Sequence, residues 1–302
     1  MFEFIDIAFG WLMRQCYVLV DKIGFGGYAL ALLIFAFICQ VLLFPFGIKQ
    51  QKNSQKQARL RPKENVIRKK YNGRTDRASQ MKMNEEIQML YQEEHFSPFA
   101  GCLPLLIQLP IIFSLFNVIR RPLTYIVNMK DSLILKLNNF LADAQISGFK
   151  AVEGIKNIKN IDELKLLNNI SSNTAEIATK FADELDSLTL PNFSLGSLDL
   201  TLVPSQVFGT TQGWLLFLIP VATFLSAYFG QKITRKFTYQ PAPTAESASS
   251  MKLMNVMMPL FSGYIAFTWS ASLGLYWTYR SILSVVQQIL LSKMYPIPTF
   301  TE

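Results

Sequence analysis

The sequence predicts an all-α integral membrane protein: a five-transmembrane-helix bundle with a cytoplasmic helical hairpin, an N-terminal interfacial helix and a partly helical outer loop. Three observations carry this. Half of the 302 residues are apolar and only 17% are charged, against about 25% charged in a soluble domain. The charges are clustered and leave long apolar runs between them. A net charge of +8 gathers in the segments between runs, which points to an anionic surface or polyanion as neighbour.

A hydrocarbon core of about 30 Å takes about 20 apolar residues of helix. Five segments meet that need: 25–48, 100–119, 214–230, 253–269 and 273–294. The third is the shortest, with Gln231, Lys232, Arg235 and Lys236 placed to anchor its end. Only 270–272 separate the last two, so they form a tight helical hairpin. Aromatic residues lie near several ends (Phe25, Tyr28, Trp214, Trp269, Tyr295), as in an interfacial belt. Segment 1–24 differs. Ile5, Phe9, Leu12, Cys16 and Leu19 recur at helical spacing while Glu3, Asp6 and Arg14 stay polar. It reads as an amphipathic helix lying in the interface rather than a signal peptide, with a sixth span as the alternative. Cys16, Cys39 and Cys102 are scattered and read as small buried residues, with no disulfide or metal role.

Orientation follows from the bases. Segment 49–99 holds twelve Lys and Arg, and 231–252 adds four more. The long loop 120–213 balances nine bases with ten acids, and long loops count little in the positive-inside rule. The N-terminus is therefore expected outside, and the C-terminus inside with a short tail, 295–302. Segment 49–99 reads as a cytoplasmic helical hairpin. Met83, Ile87, Leu90 and Tyr91 form a helical stripe, and Tyr71-Asn72-Gly73 supplies the turn. Pro62 is expected to break or restart the first arm. Glu85, Glu86, Glu93 and Glu94 load the second arm against a basic first one. Loop 120–213 is expected to form an outer domain with helices near 131–144, 154–167 and 174–185, and 240–250 a flexible connector.

Catalytic motifs are lacking. A single histidine, His95, rules out histidine clusters, and no H-E-x-x-H, G-x-S-x-G or P-loop pattern occurs. No enzyme activity, metal or cofactor is expected. The spans carry no Asp or Glu, although proton-coupled carriers commonly place carboxylates there. They do carry Gln40, Gln108, Asn117, Ser226, Arg280, Gln287 and Gln288. A charge at mid-helix costs about 2.5–3.5 kcal/mol on insertion scales, so Arg280 should face a wet recess. The alternative is a side chain snorkelling about 10 Å to the headgroups. For Gln40 the alternative is an interhelical hydrogen bond of about 0.6 kcal/mol.

Residues 91–111, YQEEHFSPFAGCLPLLIQLPI, closely resemble the loop-to-span junction of the YidC/Oxa/Albino family of membrane protein insertases. Phe44-Pro45-Phe46-Gly47-Ile48-Lys49-Gln50-Gln51, Met257-Met258-Pro259-Leu260, and Leu275-Tyr276-Trp277 followed by Gln287-Gln288 resemble further elements in family order. The resemblance implies five spans enclosing a hydrophilic groove, open to the cytoplasm and to lipid. Gln40, Gln108, Asn117, Ser226, Tyr276, Trp277 and Arg280 would line it. Nascent membrane proteins would be the substrates, with or without the Sec translocon. Lys69, Lys70, Arg74 and Arg77 on the hairpin would recruit the signal recognition particle machinery, the ribosome or anionic lipids; no DNA partner is implied. Location in the bacterial cytoplasmic membrane follows. Bacterial members usually carry a positive charge where Gln40 stands and a small polar residue where Arg280 stands. The charge is therefore expected to have moved to span five. A solute transporter or channel using the same recess stays open as the other reading.

Overall fold

The computed structural model describes residues 3–24, 27–74, 76–97, 103–146, 149–172, 177, 180–181, 184–185, 190–239 and 245–298. Nine principal helices follow among them: α1 (Glu3–Ile23), α2 (Gly27–Lys70), α3 (Arg77–Glu93), α4 (Leu103–Arg120), α5 (Asp131–Asp143), α6 (Glu163–Ser172), α7 (Thr211–Lys236), α8 (Ala245–Thr268) and α9 (Ala271–Met294). The one sheet among the described residues is a hairpin of β1 (Ser194–Leu195) and β2 (Leu198–Asp199). α2 and α7 are each long and apolar enough to cross a membrane.

α2 runs unbroken for 44 residues, through Pro45 and Pro62. The expected break at Pro62 does not occur. Proline removes one i→i−4 bond, here the one to the Ala58 carbonyl, and the helix runs on all the same with the Pro62 ring on an exposed face. The expected turn at 71–73 does form, with Gly73 at φ +81°, a backbone glycine adopts without strain. α3 then starts at an Asp76 cap, whose carboxylate accepts from the Ser79 amide at 2.8 Å.

Two compact units divide the chain. The first comprises Met1–Ile38, Pro110–Leu225 and Pro259–Arg280; the second comprises Cys39–Leu109, Ser226–Met258 and Ser281–Glu302. In the first, Tyr28, Leu32 and Phe35 of α2 are fully buried. Phe35 meets Phe9 of α1 at 6.2 Å and Tyr276 of α9 at 6.3 Å, centroid to centroid. α1 buries Asp6, Gly10, Met13, Cys16, Tyr17 and Val20 and leaves Phe4, Ile7 and Trp11 exposed. That face is rotated from the expected stripe, because Asp6 accepts a 3.1 Å hydrogen bond from Asn117 of α4. Gly10 is also needed: a Cβ there would lie 2.7 Å from the Tyr125 ring. Cys16 and Cys39 are buried, while Cys102 lies outside the described residues.

Segment 120–213 belongs to the first unit. The helix expected over 154–167 splits into a 3₁₀ turn, Ile155–Asn160, and α6. Asp162 causes the split by capping α6, its carboxylate accepting from the Lys165 amide at 3.1 Å. Glu163 is fully buried. It accepts from Arg121 Nε at 3.0 Å and from the Thr124 amide and hydroxyl at 2.8 and 2.5 Å. Of the third expected helix, 174–185, the described residues 177, 180, 181, 184 and 185 are helical, and the rest lie outside the described residues. The β hairpin was not expected, since two-residue strands leave no periodicity to read. α7 is longer than the apolar run suggests, beginning at a Thr210 cap bonded to the Gly213 amide at 3.0 Å. α8 begins at Ala245, inside the expected flexible connector.

Candidate functional site

Four glutamines come together in pairs in the second unit. The Gln40 amide of α2 donates to the Gln287 amide oxygen of α9. Gln288 donates to Gln51 at 2.8 Å, and Gln51, itself 1% exposed, donates to the Tyr295 and Phe237 carbonyls at 3.0 and 3.2 Å. Gln55 donates to the Pro296 carbonyl at 2.7 Å. Glycine permits the approach. A Cβ on Gly47 would stand 2.3 Å from the Gln287 amide nitrogen and 3.0 Å from Leu291. These amides are neutral hydrogen-bonding groups that both donate and accept, so they can exchange partners with a passing peptide without paying for an unpaired charge. On the same turns of α2, Phe37, Val41 and Leu42 are more than half exposed (55%, 54% and 59%). A surface that apolar requires an apolar solvent.

The remaining expected site residues separate by unit. Gln108 is in the second unit on α4, its backbone helical and its side chain outside the described residues. Ser226 is half-buried on α7 in the second unit. Asn117, Tyr276, Trp277 and Arg280 belong to the first. Asn117 is engaged by Asp6, and Tyr276 is buried against Phe35. Trp277 and Arg280 are half-buried, and Arg280 has no hydrogen-bond or ion-pair partner among the described residues. Along α9, Arg280, Ser284, Gln287 and Leu291 share a face by helical spacing.

The charged hairpin is stitched by ion pairs between its arms. Lys63 pairs with Glu94, and Lys70 meets Glu86 at 2.5 Å, with the Tyr71 hydroxyl also donating to Glu86 at 2.8 Å. The hydrogen bond from Lys70, with that from Tyr71, holds the Glu86 carboxyl below its usual range; Lys63 does the same for Glu94. The Tyr91 hydroxyl donates to buried Glu64 at 2.7 Å, and burial together with that carboxylate pushes the phenol up. Lys69, Arg74 and Arg77 project into solvent, whereas Lys70 is committed to Glu86.

Gln51 was not singled out as a site residue from the sequence, and Gln287 and Gln288 were read as polar residues of the last span without being placed in the groove lining. A cue existed: Gln50-Gln51 and Gln287-Gln288 are paired amides at the same end of two apolar runs. Thr223 of α7 and Thr278 of α9 were missed too. Their buried hydroxyls lie 3.0 Å apart, and each is 3.0 Å from the Gly274 carbonyl. A lone threonine in an apolar run carries no sequence signal.

Comparison with known proteins agrees with the sequence motifs. The family model of the 60Kd inner membrane protein matches residues 19–298. The membrane protein insertase YidC of Oceanobacillus iheyensis is 25% identical over 267 residues, covering 88% of this chain and 75% of that protein. That of Clostridium perfringens is 23% identical over 269 residues, 89% of this chain and 80% of that protein. The Treponema pallidum protein of the same name is 25% identical over 289 residues, 96% of this chain but 35% of its own length. The chain is an all-α integral membrane protein, and it belongs to the 60Kd inner membrane protein family, the family of the YidC proteins.

Proposed function

We propose that this protein inserts hydrophobic segments of other proteins into the bacterial inner membrane. The observation that carries the reading is the family match over 19–298, with relatives that are named insertases. The amide pairs of the second unit support it. Gln40, Gln51, Gln287 and Gln288 offer a translocating polar flank replacement hydrogen bonds, which lowers the cost of burying it. Gln108 and Ser226 extend that polar lining into a water-containing groove, and Trp277 and Arg280 on α9 contact the same substrate. Arg280 supplies the positive charge that the family resemblance implies at the position of Gln40. The exposed apolar residues of α2 receive the hydrophobic segment. Its burial in lipid supplies the drive at about 0.8 kcal/mol per CH₂, so no nucleotide is consumed.

The basic hairpin faces the cytoplasm and the outer segment 120–213 the opposite side. Lys69, Arg74 and Arg77 meet anionic lipid, at about 1 kcal/mol each, or the phosphates of the ribosome and its targeting machinery. Insertion proceeds by this chain alone or with the Sec translocon.

Photocrosslinkers placed at Gln40, Gln287 and Trp277 test this. Stalled nascent chains bearing one hydrophobic segment should label all three, and crosslinkers at buried Leu115 and Ile134 should stay unlabelled. Equal labelling of both sets, or none at the amide positions, refutes the groove.

A further inference from the structure

A cavity of about 460 Å³ lies in the first unit beside the turn that joins α8 to α9, lined by none of the paired amides. Its volume is that of a small-ligand site. One wall is a ladder. The Arg120 guanidinium sits 4.9 Å over the Phe116 ring, and that ring packs on Trp269 with centroids 4.2 Å apart. α6 contributes Lys165, and the segment after β2 contributes Gln206.

The framework is fixed by backbone bonds. The Ala271 amide donates to the Leu202 carbonyl at 2.8 Å, and the Ser272 amide and hydroxyl donate to the Leu200 carbonyl at 2.9 and 2.8 Å. Asn168 holds the Thr201 hydroxyl at 3.2 Å. Asp162, the acid in the lining, is committed to capping α6. The two cations are not so committed: neither Arg120 nor Lys165 has a carboxylate partner among the described residues. The lining therefore carries two cations against the one Asp162 carboxylate, with Lys165 Nζ also 5.7 Å from the Phe149 ring centroid; a preformed cavity of net positive charge with an aromatic wall suits an anion attached to an apolar body.

We propose that this cavity binds the phosphodiester headgroup of an anionic phospholipid. Arg120 and Lys165 hold the phosphate, Gln206 the headgroup hydroxyls, and the Phe116–Trp269 wall the glycerol and first methylenes. The membrane presents the ligand at the right depth. The 24 residues of α9 rise ~36 Å, more than the ~30 Å hydrocarbon core, so the α8–α9 turn stands among headgroups. The proposal rests on α9 crossing the membrane and not on any insertion activity.

The full chain in a neutral detergent, titrated with dihexanoyl-phosphatidylglycerol and followed by native mass spectrometry, tests it. Dihexanoyl-phosphatidylcholine, inorganic phosphate and a Glu-rich peptide are the comparison ligands. Phosphatidylglycerol should bind at least tenfold tighter than any of the three. R120Q/K165Q should lose at least tenfold while R120K/K165R keeps most of the affinity; R120Q alone serves if the double variant does not fold. Affinity for the anionic lipid unchanged in R120Q and R120Q/K165Q would overturn the proposal. So would inorganic phosphate binding as tightly, which would make this a free-phosphate site, or the peptide displacing the lipid at lower concentration, which would make it a protein-docking site.

Discussion

Gln51 ties three parts of the chain together, and replacing it with leucine gives a quantitative test of the amide set. Its side chain accepts from Gln288 of α9 and donates to the carbonyls of Tyr295 and Phe237. Leucine has similar volume but leaves those groups without Gln51. Orphaned at full cost, a polar group is penalised by about 1–3 kcal/mol, which would sum to well over 3 kcal/mol. Two effects reduce this. Gln288 still reaches the Phe237 carbonyl at 3.4 Å, and interhelical bonds in membrane proteins average only about 0.6 kcal/mol, because the unfolded chain finds partners too. The smaller figure governs here, and Gln51→Leu should destabilise the protein by about 2 kcal/mol. Unfolding followed by steric trapping in bicelles measures that directly. In a double-mutant cycle with Gln288→Leu the two changes should couple by about 0.5–1 kcal/mol. A Gln51→Leu protein as stable as the parent, or strict additivity with Gln288→Leu, refutes the reasoning.

Three further outcomes follow from the same geometry. A Cβ on Gly213 would sit 1.9 Å from the Val207 carbonyl oxygen, and because backbone must shift to relieve it, Gly213→Ala should cost about 1–3 kcal/mol in the same unfolding assay. Glu163→Ala takes the carboxylate away from the Arg121 guanidinium and from both Thr124 donors in a buried site, so segment 120–213 should lose about 3–5 kcal/mol and become protease-sensitive. The hairpin should loosen in acid. Glu86 and Glu94 have folded pKa values held below the ordinary 4.5, so their contribution is complete above that value and fades as pH falls through the depressed folded ones. Protection of the α3 amides, taken as exchange corrected for the intrinsic rate at each pH, should fall from pH 6 to pH 3 in the parent and change less in a Lys63→Ala, Lys70→Ala variant.

What could be read from the sequence was what depends on local pattern. Apolar run length found α2 and α7, the Tyr71-Asn72-Gly73 turn was plain, and charge spacing foretold that acids of α3 would meet bases of α2. What could not be read depends on partners far away in the chain. The helix runs on through Pro62, an outcome that no window of sequence reveals. Asp6 turns inward on α1 because Asn117 waits 111 residues away. The paired amides join residues 237 and 247 positions apart. The cap that Leu200 and Leu202 place on α9 crosses from a polar loop to an apolar helix. The motif around residues 91–111 identified the family although residues 98–102 and the side chains of 103–109 lie outside the described residues.

The central claim is that the chain, by itself, moves a hydrophobic segment into lipid. Purified protein reconstituted into liposomes, with a short single-span protein translated in their presence, measures that through protease protection of the translocated flank. Protection should appear without nucleotide beyond that used in translation, fall in a Gln40→Leu, Gln287→Leu variant of unchanged stability, and be absent from protein-free liposomes. Equal protection in protein-free liposomes and proteoliposomes would contradict the account.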